Sequence, residues 1–353
     1  MTKLQDTPPA AVAGTIGGIR SSGAVSAGLQ IVRLGPLLLL LLLAVVLAIA
    51  TPHFLSPRNF ANVGLEASVV AVLALGQLLV IITAGIDLSV GAAAALSGVI
   101  GALWIKDFGI TSGWLVIPTM ILAGGLIGLI NGLLFVKGRM PHAFLPTLAM
   151  LEVARGVALV LSDSQSIPGM PKSVLAIGAG KLGPIPYSVI VVILLAIAVW
   201  ALLARTPWGQ WIYATGANKE GARRVGIPVD QVLVSVYVMS GLSAGVAAVI
   251  IAGQVNAAYP TAGNLLELSA IAAVIIGGAS FFGGRGTVVG ALIGALMLGT
   301  IRNGLNLLLV ETNWQLIAIG VVIAVAVEMD VIRGWLETRL RVARTEMLEG
   351  KGK

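Results

Sequence analysis

The chain has 353 residues, of which 58% are hydrophobic and only 10% carry a charge, and its mean hydropathy is +1.01. Soluble domains carry about 25% charged residues, so the composition excludes a soluble protein and indicates a chain that crosses a membrane many times. Cysteine is absent, which excludes disulfides, cysteine-based metal sites and thiol nucleophiles. The two histidines, His53 and His142, are too far apart to form a metal-ligand motif.

Apolar stretches long enough to cross a bilayer recur along the chain. A membrane-spanning helix needs about 20 mostly apolar residues. By this criterion we predict spanning helices at about 36–51, 63–84, 87–104, 113–135, 143–162, 185–204, 230–253, 265–281, 286–302 and 312–331. The predicted fold is therefore an all-α membrane protein with about ten transmembrane helices, of which the second and third form a tight hairpin.

Lysine and arginine are distributed unevenly between the two sides of this topology. With the N-terminus in the cytoplasm, the inner segments hold 16 of the 22 basic residues and the outer segments hold 5, while Arg155 lies inside a span. Cytoplasmic loops carry the excess of Lys and Arg, so both termini are predicted to be cytoplasmic, and the net charge of +7 requires no nucleic-acid partner. We expect a flexible N-terminal tail (1–34), a transmembrane domain (35–332) and a basic C-terminal tail (333–353).

The predicted cytoplasmic loop 205–231 is more structured than a simple turn requires. Asn218 can cap a short helix that Gly226 and Pro228 then end, with Glu220 near its positive end. A short helix on a membrane surface is either an interfacial anchor or a docking site for a cytoplasmic partner, and the residues alone leave both interpretations open. The candidate residues are Gly216, Ala217, Asn218, Lys219, Glu220, Ala222, Arg223 and Arg224.

Several segments resemble one known family, and they occur in that family's order. The stretch YATGANKEGARRVGIPV (213–229) resembles the coupling-helix loop of the ribose/xylose-type ABC sugar permeases. Three further regions are also similar to that family, namely GQLLVIITAGIDLSVGA (76–92), NGLLFVKGRMP…FLPTLAMLEVARGV (131–157) and 259–308. The resemblance extends over about residues 60–330.

The resemblance implies a permease subunit in a bacterial inner membrane that works as a pair of identical or related copies. It also implies ATP-binding subunits on the cytoplasmic face, an extracytoplasmic sugar-binding protein, and import of a monosaccharide, for which a pentose such as xylose or ribose is expected. The chain contains no G-x-x-x-x-G-K-[ST] phosphate loop. We therefore expect ATP hydrolysis on a separate polypeptide, and we assign no catalytic residue, metal or cofactor.

The alternative function is that of a secondary transporter that moves a small polar solute with an ion gradient. Such a protein needs carboxylates in its pathway that bind protons or sodium ions, and Asp87 and Glu152 are the candidates. This alternative leaves the 205–231 loop unexplained.

Polar and aromatic residues within or beside apolar segments are the candidates for a translocation path or gate. Asp87 either caps the third span, through the N–H of Ser89 or Val90, or lines the path. Glu152 and Arg155 lie three residues apart on one helix, and they either form a structural ion pair or line the path. Asparagines either join helices by hydrogen bonds or contact sugar hydroxyls. The candidates are Asp87, Ser89, Asn131, Phe144, Glu152, Arg155, Asn303 and Asn306.

Two segments of the chain resemble each other. Residues 124–133 read GGLIGLINGL and residues 290–305 read GALIGALMLGTIRNGL, so both begin with G-x-x-x-G and end with Asn-Gly-Leu. They lie in the fourth and ninth predicted helices, which run in opposite directions, as an inverted five-plus-five repeat requires. Close packing of glycine-rich helices produces the same motif, so both explanations stay open.

Overall fold

The computed structural model describes residues 23–311, 313–322, 324, 325 and 328. Nearly all of the regular structure in these residues is helical. The helices are α1 (Gly23–Ala50), α2 (Pro57–Ile82), α3 (Val90–Phe108), α4 (Gly113–Val136), α5 (Phe144–Leu161), α6 (Lys172–Ala179), α7 (Tyr187–Arg205), α8 (Pro207–Ala217), α9 (Lys219–Arg224), α10 (Val229–Val255), α11 (Leu266–Ile276), α12 (Val288–Leu307) and α13 (Asn313–Val322). Four two-residue strands are β1 (Ile167–Pro168), β2 (Lys181–Leu182), β3 (Ile185–Pro186) and β4 (Ala257–Ala258).

Within the described residues, seven helices are long and apolar enough to cross a membrane, namely α2, α3, α4, α5, α7, α10 and α12. Three shorter apolar helices cover Gly35–Ala50, Leu266–Ile276 and Asn313–Val322. Each of the ten predicted segments coincides with one of these helices, but the ten-span count itself stays a prediction. Residues 1–22 and 329–353, which hold most of both predicted tails, lie outside the described residues, and α1 begins at Gly23, within the predicted N-terminal tail.

The eighth predicted span, 265–281, is shorter than the sequence pattern indicates. Helix α11 has only 11 residues, which is about 16 Å of helix and roughly half of a hydrocarbon core. The helix ends at Gly277, and Gly278 has a φ of +89° that a residue with a side chain rarely adopts. The predicted C-terminal end at 281 is wrong, because glycine is apolar enough to extend a hydropathy pattern while its backbone breaks the helix.

Helices α2 and α10 form the centre of the bundle. Every residue of α2 from Ala67 to Ile82 is buried, and α2 packs against α7, α10, α11 and α12. Such an element has no lipid-facing side over that length, and its residues are apolar on every side except for Ser68 and Gln77, as a fully buried helix requires.

The glycines of the two G-x-x-x-G segments lie at helix–helix contacts. A Cβ on Gly124 of α4 would overlap the carbonyl oxygen of Gly241 in α10, and a Cβ on Gly294 of α12 would overlap the carbonyl oxygen of Ala273 in α11. Small residues allow membrane helices to approach this closely. Close packing is therefore sufficient to explain both motifs, and the inverted repeat stays a prediction.

The segment between α5 and α7 folds onto the segment between α10 and α11. Strand β1 pairs with β4 in antiparallel register, with Ile167 opposite Ala258. Helix α6 packs against the end of α10, where a Cβ on Gly178 would overlap the backbone of Gly253. These two connecting segments thus form one surface.

Candidate functional site

The turn between α2 and α3, residues 83–89, holds a buried carboxylate, although Ala84 within it is exposed. Asp87 is only 1% exposed. Its Oδ1 accepts hydrogen bonds from the backbone N–H (3.0 Å) and from the hydroxyl (2.6 Å) of Ser89. The bond from the Ser89 N–H is the contact that the capping interpretation predicts, so Asp87 stabilises the start of α3.

Asp87 also joins this turn to neighbouring helices. Its Oδ2 accepts a hydrogen bond from the hydroxyl of Ser240 in α10 (2.9 Å), and Asn131 in α4 donates to the hydroxyl of Ser89 (2.8 Å). In the orientation that satisfies both partners, the carboxamide of Gln77 in α2 pairs with the backbone N–H (3.1 Å) and carbonyl (3.2 Å) of Asp87. A carboxylate in an apolar interior is costly unless polar groups surround it, and here Ser89 and Ser240 donate directly to its two oxygens. Asn131 and Gln77 hold the turn around it through Ser89 and the backbone of Asp87.

The predicted ion pair between Glu152 and Arg155 is wrong. Both residues lie in the described part of the chain, but Glu152 is exposed and no ion pair joins it to Arg155. Arg155 instead donates from Nη1 to the carbonyl oxygens of Pro260 (2.7 Å) and Ala262 (2.8 Å). Residues three apart differ by about 60° around a helix, which is enough for one to face outward while the other binds a loop that the helix sequence does not reveal.

The short helix predicted in the 205–231 loop is present as α9. The side chain of Asn218 caps it by accepting the N–H of Gly221 (2.8 Å). Ala222 is buried against Val229 and Leu233 at the start of α10, so α9 is attached to that helix. The four charged residues of α9 are exposed, namely Lys219, Glu220, Arg223 and Arg224.

Two contacts hold the charged side chains of α9 in place. Arg223 forms an exposed ion pair with Asp230 (2.6 Å). The ammonium of Lys219 lies 5.2 Å from the centre of the Phe135 ring, a cation–π distance. Partial burial, followed by the nearby charge of Arg223, lowers the pKa of Lys219 below its ordinary value.

Three segments of backbone meet where α8 reaches the end of α2, and we call this contact the glycine junction. It consists of Gly216 in α8, residues 82–84, and the loop at Gly283 and Gly284. The N–H of Gly284 donates to the carbonyl of Ile82 (2.8 Å). A Cβ on Gly216 would overlap that same carbonyl oxygen, and a Cβ on Gly283 would lie 2.8 Å from the Cβ of Ala84. The segment that carries α9 therefore directly contacts the turn that carries Asp87.

A cavity of about 740 Å³ lies near the opposite end of α2. Its walls come from the first half of α2, the ends of α6, α10 and α12, and the segment that leads into α11. Its polar lining residues are Asn59, Asn62, Glu66, Gln254, Tyr259, Thr261, Asn264, Arg302, Asn303 and Asn306. Arg155 supports this cavity indirectly, because the carbonyls that it binds belong to the segment leading into α11.

The candidate path residues therefore fall into separate groups. Asp87, Ser89 and Asn131 meet at the buried turn, whereas Asn303 and Asn306 line the cavity. Phe144, at the start of α5, is 42% exposed and belongs to neither group, and Glu152 is also outside both.

The charged members of the cavity lining, Glu66 and Arg302, are absent from the candidates that the sequence indicated. The signal that could have revealed them is their position inside apolar helices, since charged residues in such segments usually face a cavity or the bundle interior. Tyr259 has no comparable signal, because it lies in a short loop whose fold depends on Arg155 and on strand β1.

Comparison with known proteins identifies relatives over most of the chain. The family described as "Branched-chain amino acid transport system / permease component" matches residues 59–327. The ribose import permease protein RbsC of Bacillus subtilis is 42% identical over 303 residues, which is 84% of this chain and 92% of that protein. No solved structure matches the chain.

Two further relatives carry other sugar names. The D-allose transport system permease protein AlsC of Escherichia coli is 38% identical, covering 83% of this chain and 89% of that protein. The fructose import permease protein FrcC of Rhizobium meliloti is 36% identical, covering 75% of each chain. The chain therefore belongs to the branched-chain amino acid transport system / permease component family, and it is a membrane transport subunit of an ABC importer rather than an enzyme.

Proposed function

We propose that this chain forms the translocation path of an ABC importer for a monosaccharide, with a pentose such as ribose or xylose as the expected substrate. The observation that carries the proposal is the 42% identity to a ribose import permease along 84% of the chain. The allose and fructose relatives extend the same similarity to hexose transport. The family description mentions branched-chain amino acids, but a cavity rich in carboxamides suits a sugar better than an aliphatic side chain.

The chain lies in the bacterial inner membrane with both termini in the cytoplasm and about ten spans, three of them formed by the shorter apolar helices. In this orientation α9 and the glycine junction are cytoplasmic. The cavity and the β1–β4 pair face the outside, where the sugar-binding protein docks. The excess of Lys and Arg on the inner segments supports this orientation.

Helix α9 is the docking site for the ATPase subunit. Its exposed side chains carry three positive charges and one negative charge on a single short element, whereas Ala222 fixes the opposite face to α10. An interfacial anchor would need an apolar face turned toward the membrane. The one buried apolar residue of α9 faces the protein instead, which favours docking.

Motion of the docked ATPase is transmitted through the glycine junction. Gly216 touches the backbone of Ile82, and five residues further along the chain Asp87 binds Ser240 of α10. A shift of α8 therefore displaces the buried turn and the helix that it holds. Asp87 acts as a structural connection in this path rather than as an ion-binding carboxylate.

Sugar uptake distinguishes this function from the ion-driven alternative. Uptake of labelled pentoses and hexoses would be compared in cells with and without the gene, with the proton and sodium gradients collapsed and ATP maintained. Gene-dependent uptake that persists supports the proposal and identifies the sugar. Uptake that vanishes with the gradients would make Asp87 a candidate ion site and contradict ATP-driven import.

A charge swap on α9 tests the docking site. Glu220→Lys combined with Arg224→Glu preserves the net charge and spares Arg223, which Asp230 already binds. We expect an inserted protein at normal abundance with sugar uptake and ATPase co-purification both lost. The control is Lys106→Asp combined with Asp163→Lys, which exchanges the residues of an ion pair at the other end of the bundle. Sugar uptake and ATPase co-purification should both stay unchanged in this control. Normal uptake in the α9 variant would refute the docking role.

A further inference from the structure

We propose that the cavity between α2, α10, α11 and α12 is the sugar-binding site of this subunit, and that it holds one monosaccharide in its ring form through carboxamide side chains. The inference rests on the proposed function and names the place and chemistry of recognition. Its volume of about 740 Å³ is typical of small-molecule sites, which measure about 300–1,000 Å³. A sugar ring would occupy part of it and leave room for water.

Carboxamides are concentrated in this cavity. The chain has nine asparagines, and five of them line it together with Gln254, namely Asn59, Asn62, Asn264, Asn303 and Asn306. A carboxamide both donates and accepts hydrogen bonds, as a sugar hydroxyl does. Side chains of this type can therefore bind a neutral polyol without the burial of a net charge.

Two of these asparagines are buried and incompletely hydrogen-bonded. Asn59 and Asn303 are 3% and 5% exposed, and the Oδ1 of each lacks a hydrogen-bond partner among the described residues. Most buried polar atoms have a partner. The Nδ2 of Asn59 donates to the carbonyl of Phe54 (3.0 Å), which leaves its oxygen as the atom that can accept from a sugar hydroxyl. Because the terminal torsion of asparagine is broad, the carboxamide of Asn303 can turn its oxygen toward a hydroxyl that enters the cavity.

Opposite charges share the cavity without neutralising each other directly. Glu66 and Arg302 both line it, yet no ion pair joins them among the described residues. Arg302 donates to the hydroxyl of Ser269 in α11 (3.2 Å). Charged groups strengthen hydrogen bonds to neutral partners, so both can bind sugar hydroxyls. Tyr259 adds an aromatic ring and a hydroxyl to the same wall.

The floor of the cavity is the start of the half-length helix α11. Gly263, Asn264 and Leu266 line the cavity, and a Cβ on Gly263 would lie 3.1 Å from the carbonyl carbon of Gly91 in α3. Interrupted helices of this kind mark substrate sites in transporters. The cavity therefore ends at a short helix whose preceding segment packs closely on α3.

A second copy of the chain is the competing occupant of this space. The centre of a homodimer interface is about 65% apolar, whereas half of the lining residues here carry polar side chains. In a symmetric interface, each of these charged and amide groups would need a hydrogen-bond or ion-pair partner on the second copy. The lining therefore favours a polar ligand over a protein surface.

Absence of cysteine from the natural chain allows a direct test. Asn264→Cys places one thiol in the cavity, and Ser166→Cys places one on the exposed segment after α5, outside the cavity lining. The full-length protein in lipid nanodiscs would be labelled with a membrane-impermeant maleimide. Millimolar D-ribose is expected to slow labelling at position 264 several-fold and to leave position 166 unchanged, and L-ribose and leucine are expected to protect neither position.

A second substitution links protection to the asparagines. In the Asn264→Cys background, Asn303→Leu should abolish protection by D-ribose, whereas Asn313→Leu, on exposed helix α13, should preserve it. If the Asn303→Leu protein is poorly folded, Asn306→Leu serves instead, because Asn306 is exposed at the cavity rim.

Three outcomes would overturn the inference. Equal labelling with and without D-ribose, in a protein whose wild-type form imports ribose in cells, would refute the site but leave the proposed function intact. Spontaneous disulfide-linked dimers of the Asn264→Cys protein under mild oxidation would assign the cavity to a second copy. Protection by leucine rather than ribose would instead contradict the proposed sugar substrate.

Discussion

The two ends of α2 differ in how they meet the rest of the bundle. At its C-terminal end, the carbonyl of Ile82 is enclosed by the backbone of Gly216 and Gly284, with no space for even one methyl group. About 25 Å away along the helix, around Glu66, the same helix borders the 740 Å³ cavity. One end is a close contact of backbone atoms, and the other is a polar space.

This difference separates two ways in which a substitution can disrupt transport. At the glycine junction, the size of the new side chain decides the effect, because an added side chain must move the backbone of a neighbouring segment. At the polar end, hydrogen-bonding capacity decides, because the cavity can accept a change in volume. The predictions below test this distinction and begin with the largest expected effect.

Gly216→Ala should have the largest effect. The new Cβ would overlap the carbonyl oxygen of Ile82, and overpacking of this kind costs about 1–3 kcal/mol, so the junction should separate and uptake should fall by about tenfold or more. The matched control is Gly156→Ala in α5, where the added Cβ would have no atom within 4 Å. Uptake and thermal stability in detergent are the measurements. Equal behaviour of the two variants would show that the junction is not tightly packed.

Asp87→Leu should have the next largest effect, a loss of thermal stability. It would leave the hydroxyls of Ser89 and Ser240 without their acceptor, and each unsatisfied buried group costs about 1–3 kcal/mol. Asp87→Asn should be much milder, because the asparagine oxygen can still accept from Ser89 while its amide donates to the Ser240 hydroxyl. Thermal unfolding of both variants checks the order. If Asp87→Asn abolishes uptake while stability is retained, the carboxylate has a role beyond structure.

Arg155→Met should have a moderate effect that is confined to the cavity end. It removes two hydrogen bonds to the carbonyls of Pro260 and Ala262, and hydrogen bonds that involve a charged group contribute about 1.5–3 kcal/mol each. Hydrogen exchange in the 257–265 segment should accelerate while exchange near Asp87 stays unchanged. Arg155→Lys should restore part of the protection from hydrogen exchange, because the lysine ammonium can bind one of the two carbonyls. Unchanged exchange would mean that the β1–β4 pair alone holds the loop.

Glu152→Gln should have the smallest effect. Glu152 is exposed and has no ion pair within the described part of the chain, so stability and uptake should both stay within experimental error of the wild type. Surface substitutions away from special contacts usually change stability by less than about 0.5 kcal/mol. A clear loss of uptake without a loss of stability would indicate that a partner subunit covers this residue.

Hydropathy and capping rules predicted much of the helical framework. The positions of the apolar helices and the Asn218-capped helix α9 follow from local composition, because helix formation and caps depend on neighbouring residues. The cavity could not be predicted in this way. Asn59, Asn264 and Asn303 come together through the packing of distant segments, and nothing in the local sequence around them indicates their proximity.

The Glu152–Arg155 pair illustrates the same limit. Spacing along one helix correctly identifies candidates for contact, but the competing partner of Arg155 lies more than one hundred residues away. The partners of Ser240 and Tyr237 in α10 likewise lie far away along the chain. In the structure, Ser240 binds Asp87 and Tyr237 is fully buried, with its hydroxyl donating to the carbonyl of Ile86 (3.4 Å).

Helix α10 can be considered as a rigid element that contacts functional regions at its start, its middle and its end. Its first turns hold Ala222 of α9, its middle binds Asp87 through Ser240, and its last turns supply Ile251 and Gln254 to the cavity. With 27 residues it is about 40 Å long. A tilt of about 5° around its middle would displace each end by about 2 Å in opposite directions. A displacement of α9 would then tilt α10 and narrow or widen the cavity at its other end. The secondary structure between α9 and the cavity would not need to change.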